Sequence, residues 1–566
     1  MKKHPYVYAG MILMFSLLIS VSTRAGARSI SDSIQRMVRA VQENRALLRA
    51  CEPVHAKEDL FVAYRERSFS PLWLDHNGLT DSGASLRNLL ETAWCHGLDP
   101  RDYHMPYIRL VSENMTAGLK NGATIPAEEY AALDIAMTDA FLNFGCHLST
   151  GKVDPVSLHP HWMLRRKSGS VTTALKHLME HGNIHATVHE LAPQYPEYWQ
   201  LVHAASQMKS IVDEGGWQPV PSGRLLMRGS RDRRVRQLRK RLAITRDLNT
   251  DGNVVSETLV DASLESAVRL FQERHGLKTD GIVGPETLNA LNVSAEKRLH
   301  QIYINLERRR WLPRQPGRRY IFVNTASFDL RAYEAERPKL SMRVIVGKDY
   351  QKTPVISRRL QYLVVNPYWN VPGSIAVREL LPLLRKDPDY LADHYFQYVS
   401  GWGDRVRVLN ADGIDWKKVN ADNFKGRFRQ IPGPWNALGR IKFMFPNRYD
   451  VYLHDTPDQH LFDTHLRALS HGCIRVQKPL ELALFVLQDD PDMSMRLLEQ
   501  WVQSQKRRVV QVESPCYIHV LYWTAGIDLS GTIQFRDDVY ERDPVLWTAL
   551  THCPGENCRM PESCYQ

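Results

Sequence analysis

Apolar residues recur at helical spacing through the first 225 residues of the chain. The segments 30–48, 85–95 and 133–148 carry apolar side chains three or four positions apart, a period typical of amphipathic helices. Between two of them, Gly-Leu-Asp-Pro at 97–100 predicts a helix end followed by a turn. Since this region gathers no cluster of catalytic groups, we expect a helical scaffold over 28–225.

A smaller helical unit is predicted over 226–297. Two apolar faces at helical spacing are formed by Val235, Leu238, Leu242, Val268 and Phe271. Gly281 and Gly284 permit tight turns, and Pro285 stands where a helix can begin. The pattern therefore predicts a compact module of three helices.

The hydrophobic period changes to two from residue 319 onward. Alternating segments at 320–324, 340–346, 360–365, 441–445, 451–454 and 516–524 predict strands, and hence a mainly-β domain over 298–545. A stretch at about 374–429 interrupts this pattern with an amphipathic helix and then polar and aromatic residues. Because long insertions in compact domains are often lids, we expect a capping subdomain over the substrate; a surface ornament is the alternative.

The N-terminus has the pattern of an export signal. Lys2 and Lys3 precede an apolar run at 6–21, and Ala-Gly-Ala at 25–27 fits a cleavage site. The run is shorter than the roughly 20 apolar residues that span a bilayer. We expect a signal peptide over 1–27 and an exported protein; an uncleaved segment that tethers the chain to the membrane is the alternative.

Charge narrows the class of partner. The net charge is +11 and the isoelectric point is about 9.1. Positive residues are scattered, apart from the segment 231–241 and Arg308, Arg309 and Arg310, and no nucleic-acid fold signature accompanies them. The balance therefore favours an anionic polymer of the cell envelope over nucleic acid.

Eight cysteines are present, and three of them lie within the last 14 residues. Export permits disulfides, so the tail over 546–566, with Cys516 upstream, predicts a local disulfide knot. Zinc bound by Cys553, Cys558 and His552 is the alternative. If Cys473 stays a thiol, seven cysteines remain, and at least one of them is unpaired.

Chemistry concentrates around Cys473. His454 ends a predicted strand, and Cys473 follows nineteen residues later inside Ser-His-Gly-Cys at 470–473. An imidazole can take the proton of a thiol, Gly472 leaves room for a carbonyl, and amides of such a turn can hold an oxyanion. Buried cysteines are often inert, so the pair alone does not establish a site. The nearby histidines lack the spacing of a metal site, and we expect no metal.

Two resemblances sharpen these expectations. The run from Phe271-Gln272 through Gly276-Leu277, Asp280-Gly281 and Val283-Gly284 resembles the second half of a peptidoglycan-binding domain of type 1, while the Asp251-Gly252 turn sits in an elongated loop. His454 with Ser470-His471-Gly472-Cys473 resembles the catalytic motif of L,D-transpeptidases. The strings at 365–372, 432–440 and 535–540, and those at 70–73, 97–100 and 102–103, are similar to the large multidomain members in Gram-negative bacteria.

The resemblance implies a role for each residue of the motif. Cys473 becomes the nucleophile and His454 its base, with oxyanion donors at the amides of Gly472 and Cys473. The remaining residues implied to form the pocket are Tyr452, His471, Arg475, Trp369 and Asn370. Many relatives carry Asn where this chain has Arg475, so a role of that position in handling the acceptor is open.

The fold class implied is a multidomain α+β protein, with a helical scaffold, a peptidoglycan-binding module and a mainly-β L,D-transpeptidase domain that contains the capping insert. The reaction implied is 3→3 cross-linking of stem peptides in the periplasm through a cysteine thioester, with release of D-alanine and without a cofactor. The alternatives are a peptidoglycan-hydrolysing cysteine peptidase, a transpeptidase that attaches an envelope protein, and a non-catalytic wall-binding protein.

Overall fold

The computed structural model describes residues 29–43, 54–158, 170–249, 256–313 and 316–551. The predicted signal at 1–27, the Asp251-Gly252 turn and the tail cysteines lie outside these ranges. No helix in the described ranges is long and apolar enough to cross a membrane.

Helices dominate the first 310 residues and return at the C-terminal end. They are α1 (Ile30–Gln42), α2 (Lys57–Glu66), α3 (Asp81–Glu91), α4 (Met105–Lys120), α5 (Ala127–Thr150), α6 (Pro155–Leu158), α7 (Val171–His181), α8 (Ile184–Leu191), α9 (Pro196–Asp213), α10 (Arg234–Ile244), α11 (Ala262–Arg274), α12 (Pro285–Leu291), α13 (Ala295–Arg310), α14 (Gly373–Ile375), α15 (Leu381–Leu384), α16 (Tyr390–Asp393), α17 (Pro479–Leu487), α18 (Met495–Gln503) and α19 (Asp543–Thr551).

The N-terminal helices pack around α5, which is buried along most of its length. Asp134 on this helix accepts hydrogen bonds from the backbone amides of Leu72 and Trp73 and from the Tyr64 hydroxyl. A buried carboxylate is costly unless it is hydrogen-bonded, so these contacts fix the loop at 70–73 on the helix. The predicted helical N-terminal region is confirmed.

The helix α13 joins the helical region to the β domain and ends in three consecutive arginines. Arg310 and Glu307 are fully buried and form an ion pair of 2.8 Å, and Arg308 pairs with Asp543 at 2.6 Å. Arg309 is also buried, with its guanidinium 4.4 Å from the centroid of the Trp523 ring. These three arginines are therefore buried and do not form an exposed positive surface.

The module formed by α10, α11 and α12 has a hydrophobic core of its own, centred on Leu238, Leu264 and Phe271. It docks on the β domain, where Arg536 Nη1 donates to the Arg274 carbonyl oxygen at 2.9 Å. The predicted small helical module is confirmed.

The β domain is built on a curled sheet. The strands of the chain are β1 (Leu74–Asp75), β2 (Gly78–Leu79), β3 (Arg319–Asn324), β4 (Asp329–Glu334), β5 (Arg337–Gly347), β6 (Ile356–Arg359), β7 (Tyr362–Val365), β8 (Trp369–Asn370), β9 (Phe396–Ser400), β10 (Arg407–Val408), β11 (Arg427–Gln430), β12 (Ile441–Met444), β13 (Leu453–His454), β14 (Ala468–Ser470), β15 (Ile474–Val476), β16 (Arg508–Gln511), β17 (Tyr517–Leu521), β18 (Ala525–Ile527) and β19 (Ile533–Phe535).

Eleven strands form the main sheet, in the order β16-β7-β12-β13-β15-β5-β4-β3-β17-β6, with β14 beside β5. Only residues 360 and 361 separate β6 from β7, although β6 lies at one end of the order and β7 is second from the other end. The ends of the sheet must therefore approach each other, which curls it around a core that includes Val344, Leu453 and Ile474.

The predicted insert is a subdomain with its own sheet and core. Strands β10, β9, β11 and β8 form a four-stranded antiparallel sheet, packed on a cluster that includes Leu381, Trp416 and Phe428. Its helical segment contains a π-helical turn, Ala376–Leu380, between α14 and α15. A separate core lets this subdomain keep its shape independently of the main sheet.

Candidate active site

Two neighbouring parallel strands bring the predicted catalytic residues together. Leu453 pairs with Ile474, and His454 pairs with Arg475. Leu453 and Ile474 are fully buried in the core. Since successive side chains along a strand alternate between faces, Tyr452, His454, Cys473 and Arg475 share the opposite face, and all four line one cleft.

His454 is held as a neutral imidazole. The residue is 5% exposed, and its Nδ1 lies 2.5 Å from the carbonyl oxygen of Asp455. Because that oxygen can only accept, Nδ1 carries the proton and Nε2 keeps its lone pair. Burial, followed by the charge of Arg475, lowers the pKa of His454 to about 3. The imidazole is therefore unprotonated at neutral pH and able to accept a proton.

Cys473 is a free, partly exposed thiol that lines the same cleft as His454. Its Sγ lies 3.6 Å from the carbonyl oxygen of Asp450. Burial raises the pKa of the thiol above its ordinary value of 9.0, whereas a hydrogen bond from the Tyr452 amide and the charge of Lys442 act in the opposite direction. The resting side chain is thus a thiol that needs a base to become a nucleophile.

The loop before Cys473 is fixed by its own hydrogen bonds. Gly472 has a φ of 112°, a conformation that favours glycine. Its N–H donates to Ser470 Oγ at 3.1 Å, and Ser470 Oγ donates to the Cys473 carbonyl oxygen at 2.5 Å. Of the two predicted oxyanion donors, the Gly472 amide is therefore already engaged, which leaves the Cys473 amide.

Hydrogen bonds from Thr353 and Tyr540 also support the loop at 470–473, and the sequence analysis did not predict them. Thr353 Oγ1 accepts from the Gly347 amide at 2.8 Å and donates to the Gly472 carbonyl oxygen at 2.9 Å. The Tyr540 hydroxyl donates to the Gly347 carbonyl oxygen at 2.6 Å. A Cβ at Gly347 would lie 2.1 Å from the Gln351 carbonyl oxygen, so only glycine fits there.

The capping subdomain forms the opposite wall of the cleft. Trp369 and Asn370 lie on its strand β8 and line the cleft with Cys473. His471 also lines the cleft, and its Nε2 lies 2.5 Å from Glu379 Oε1 in the π-helical turn. This pair of exposed side chains connects the loop at 470–473 directly to the cap.

Two cations lie beside Cys473 on the sheet wall. Arg475, one of the predicted pocket residues, is held by Asp458 at 3.1 Å. Lys442 was not predicted, although Ile441 and Phe443 are fully buried and strand alternation therefore turns Lys442 toward the cleft. In the described ranges no group of three or more His, Cys, Asp or Glu side chains is placed to hold a metal ion.

Comparison with protein families matches three parts of the chain. Residues 58–204 match the scaffold domain, residues 231–291 match the family described as "Putative peptidoglycan binding domain", and residues 318–502 match the L,D-transpeptidase catalytic domain. The third match contains both His454 and Cys473.

A curated protein of Haemophilus influenzae, named "Putative L,D-transpeptidase", is 34% identical over 233 residues, which are 39% of this chain. The chain spans 44% of the length of that relative.

Among solved structures, this chain is similar to L,D-transpeptidases of Xylanimonas cellulosilytica (13% identity, TM-score 0.15, 54% of this chain and 100% of that one) and Stackebrandtia nassauensis (12%, 0.19, 54% and 97%). At these scores the likeness supports no conclusion about this chain. Residues 318–502 belong to the L,D-transpeptidase catalytic-domain family, and the chain joins that domain to a scaffold domain and a peptidoglycan-binding domain.

Proposed function

We propose that this protein is an L,D-transpeptidase that forms 3→3 cross-links in peptidoglycan, with Cys473 as the nucleophile and His454 as its base. The observation that carries the proposal is the shared face of β13 and β15, on which a free thiol and a neutral imidazole line one cleft. The peptidoglycan-binding domain supports the same substrate, which lies outside the cytoplasmic membrane.

In the first step, His454 Nε2 takes the thiol proton, and Sγ attacks the carbonyl carbon of the third residue of a tetrapeptide stem. The charge that develops on the carbonyl oxygen is stabilised by the Cys473 amide. The imidazolium returns the proton to the amide nitrogen as the C–N bond breaks. D-Alanine leaves, and the stem remains on Cys473 as a thioester.

In the second step, the side-chain amine of another stem attacks the thioester. His454 accepts one proton of the amine, the new amide bond forms, and Cys473 leaves as a thiolate that the imidazolium reprotonates. The enzyme returns to its starting state without a metal or an organic cofactor.

The position of the capping subdomain favours transfer of the acyl group to an amine over its transfer to water. A thioester survives longer when water is kept out of the site. The capping subdomain lies across the cleft from Cys473, and His471 and Glu379 connect it to the nucleophile loop. We therefore assign it the role of a lid that closes over the acyl-enzyme.

The proposal is tested by trapping the first intermediate. The protein is mixed briefly with a tetrapeptide-bearing muropeptide, quenched in acid and analysed by intact mass and peptide mapping. We expect an adduct on Cys473 whose mass equals the muropeptide minus D-alanine, and no adduct in Cys473→Ala. An adduct on another residue, or release of D-alanine by the Cys473→Ala variant, would contradict the assignment.

A further inference from the structure

Lys442 is a cation on the sheet wall of the cleft. It lies on β12, where it pairs with His454 across the ladder. Its neighbours Ile441 and Phe443 are fully buried, so the Lys442 side chain projects to the same face as His454 and Cys473. The Lys442 ammonium therefore lies in the same cleft as the thiol, close enough for its charge to act on Cys473.

The ammonium of Lys442 is oriented but not neutralised. Its Nζ lies 3.6 Å from the centroid of the Tyr452 ring, a cation–π contact that holds the head group in place. Within the described ranges it forms no ion pair with a carboxylate, although the charge of Asp450 acts on it. Arg475, the other cation on this wall, is paired with Asp458. Lys442 therefore keeps N–H donors for a ligand.

The chemistry of the ligand follows from the position of the cation. A fixed ammonium with free donors binds a carboxylate through charge-assisted hydrogen bonds. A terminal amino acid carries its carboxylate two bonds from the nitrogen of the amide that joins it to the chain. An internal residue has a neutral amide at the same place. A cation beside the nucleophile can thus distinguish a terminal residue from an internal one.

We propose that Lys442 binds the free carboxylate of the residue that is cleaved off, so that Cys473 is acylated only by stems in which that residue is terminal. This inference rests on the proposed function for the identity of the substrate. The carboxylate subsite itself is a property of the cleft, and it applies to any small anion that approaches the Cys473 thiol.

Two roles of Lys442 must be separated by experiment. A cation that only stabilises the Cys473 thiolate speeds every reaction of the thiol equally. A cation that binds a carboxylate speeds reactions of carboxylate-bearing reagents in particular. Iodoacetate and iodoacetamide alkylate the same sulfur with loss of iodide and differ mainly in the carboxylate. The ratio of their rates cancels the fraction of thiolate.

The experiment measures both alkylation rates at Cys473 in the full chain, by peptide mapping because Cys95 and Cys516 are also free. Variants are Lys442→Met and Lys442→Arg, with Lys478→Met as a matched loss of one exposed positive charge. We expect the iodoacetate-to-iodoacetamide ratio to fall about tenfold in Lys442→Met, to stay within about threefold in Lys442→Arg and to be unchanged in Lys478→Met. If Lys442→Met lowered the rates of alkylation by iodoacetate and by iodoacetamide equally, or changed neither, Lys442 would not bind a carboxylate.

A substrate pair connects the subsite to the reaction. We expect Lys442→Met to lower kcat/KM about 10–100-fold for a tetrapeptide with a free carboxylate and hardly at all for its C-terminal carboxamide. Equal losses for both substrates would contradict the selection of terminal residues. If the wild-type protein acts on neither substrate, the proposed function fails, while the alkylation ratio still decides whether Lys442 binds a carboxylate.

Discussion

The β domain holds a second cysteine and histidine that are close in sequence, Cys516 and His519, and the two sites make a natural comparison. Cys473 and Cys516 are both free thiols, and His454 and His519 are both nearly inaccessible to solvent. Burial raises the pKa of both thiols, that of Cys516 to about 12, and lowers the pKa of both imidazoles, to about 3 for His454 and about 4 for His519.

The difference lies in access and in the partner of each ring. Cys516 is fully buried, whereas Cys473 borders the cleft. The His519 Nδ1 lies 2.8 Å from Ser357 Oγ, a group that can donate or accept, whereas the His454 Nδ1 faces a carbonyl oxygen that can only accept. Perturbed pKa values therefore do not distinguish the proposed catalytic pair from the buried pair; access to the cleft and a fixed tautomer do. Cys516 is also a free thiol of the core, so its expected part in a tail disulfide knot was wrong.

The largest effect should come from removing each sulfur in turn. We expect Cys473→Ala to abolish acylation by a muropeptide or a carbapenem, since among the described residues no other cysteine lines the cleft. In Cys516→Ala the rate of acylation at Cys473 should stay within about twofold of the wild-type rate. The cavity left by the missing sulfur should lower the free energy of unfolding by about 1–2 kcal/mol. Intact-mass kinetics and chemical denaturation measure both. If a carbapenem still labelled the Cys473→Ala variant, Cys473 would not be the residue that is acylated.

The next effect separates the two imidazoles. His454→Gln should lower the acylation rate about 10²–10⁴-fold because the thiol loses its base. His519→Gln should change that rate less than about threefold and lower stability by about 1–3 kcal/mol, because a buried hydrogen bond is disturbed. Stopped-flow acylation and unfolding curves on both variants test the contrast. A larger rate loss in the His519 variant would reverse the assignment of the base.

The dependence on pH sharpens the contrast between the thiols. The raised pKa of Cys473 means that its alkylation rate by iodoacetamide should climb with pH through neutrality and past pH 9, its ordinary value. Protonation of His454 should not interfere above about pH 4, since its pKa is near 3. Cys516 should stay unlabelled in the native protein throughout. A Cys473 rate that is flat between pH 6 and 9 would show that the thiolate is already formed at rest.

The smallest effect concerns the contact between cap and loop, which the Cys516 region lacks. Glu379→Gln removes the charge opposite His471. Because both side chains are exposed, we expect only about a 2–5-fold rise in hydrolysis of the thioester relative to transfer. Glu481→Gln, at an exposed position on α17, is the matched control. Mass spectrometry gives the ratio of hydrolysed to cross-linked product. An unchanged ratio would show that this contact does not influence whether water or an amine attacks the thioester.

The architecture was predictable where one hydrophobic period continues over many residues. Periods near 3.6 in the first 300 residues and of two thereafter gave the helical region, the small module and the β domain correctly. The burial of Arg308, Arg309 and Arg310 was not predictable, because a run of arginines looks the same whether it meets solvent or a buried carboxylate such as Glu307.

The sequence motif of the candidate site was predictable, but the other residues that line or support the cleft were not. The string at 470–473 and His454 lie together as expected, although their roles stay proposals. Strand alternation around Phe443 could have pointed to Lys442, whereas Thr353 supports the loop from a distant part of the sequence that no local pattern connects to it. Contacts of that kind depend on how the sheet curls, which local periodicity does not encode.

Acyl transfer from Cys473 to an amine is tested most directly by the products formed from tetrapeptide-bearing muropeptides. The wild-type chain and Cys473→Ala are incubated with them, and the products are separated and weighed. The account predicts dimers that have lost one D-alanine and carry a 3→3 bond, formed only by the wild-type chain. Shortened monomers without dimers would identify water as the acceptor, and dimers formed by Cys473→Ala would contradict the role of this cysteine.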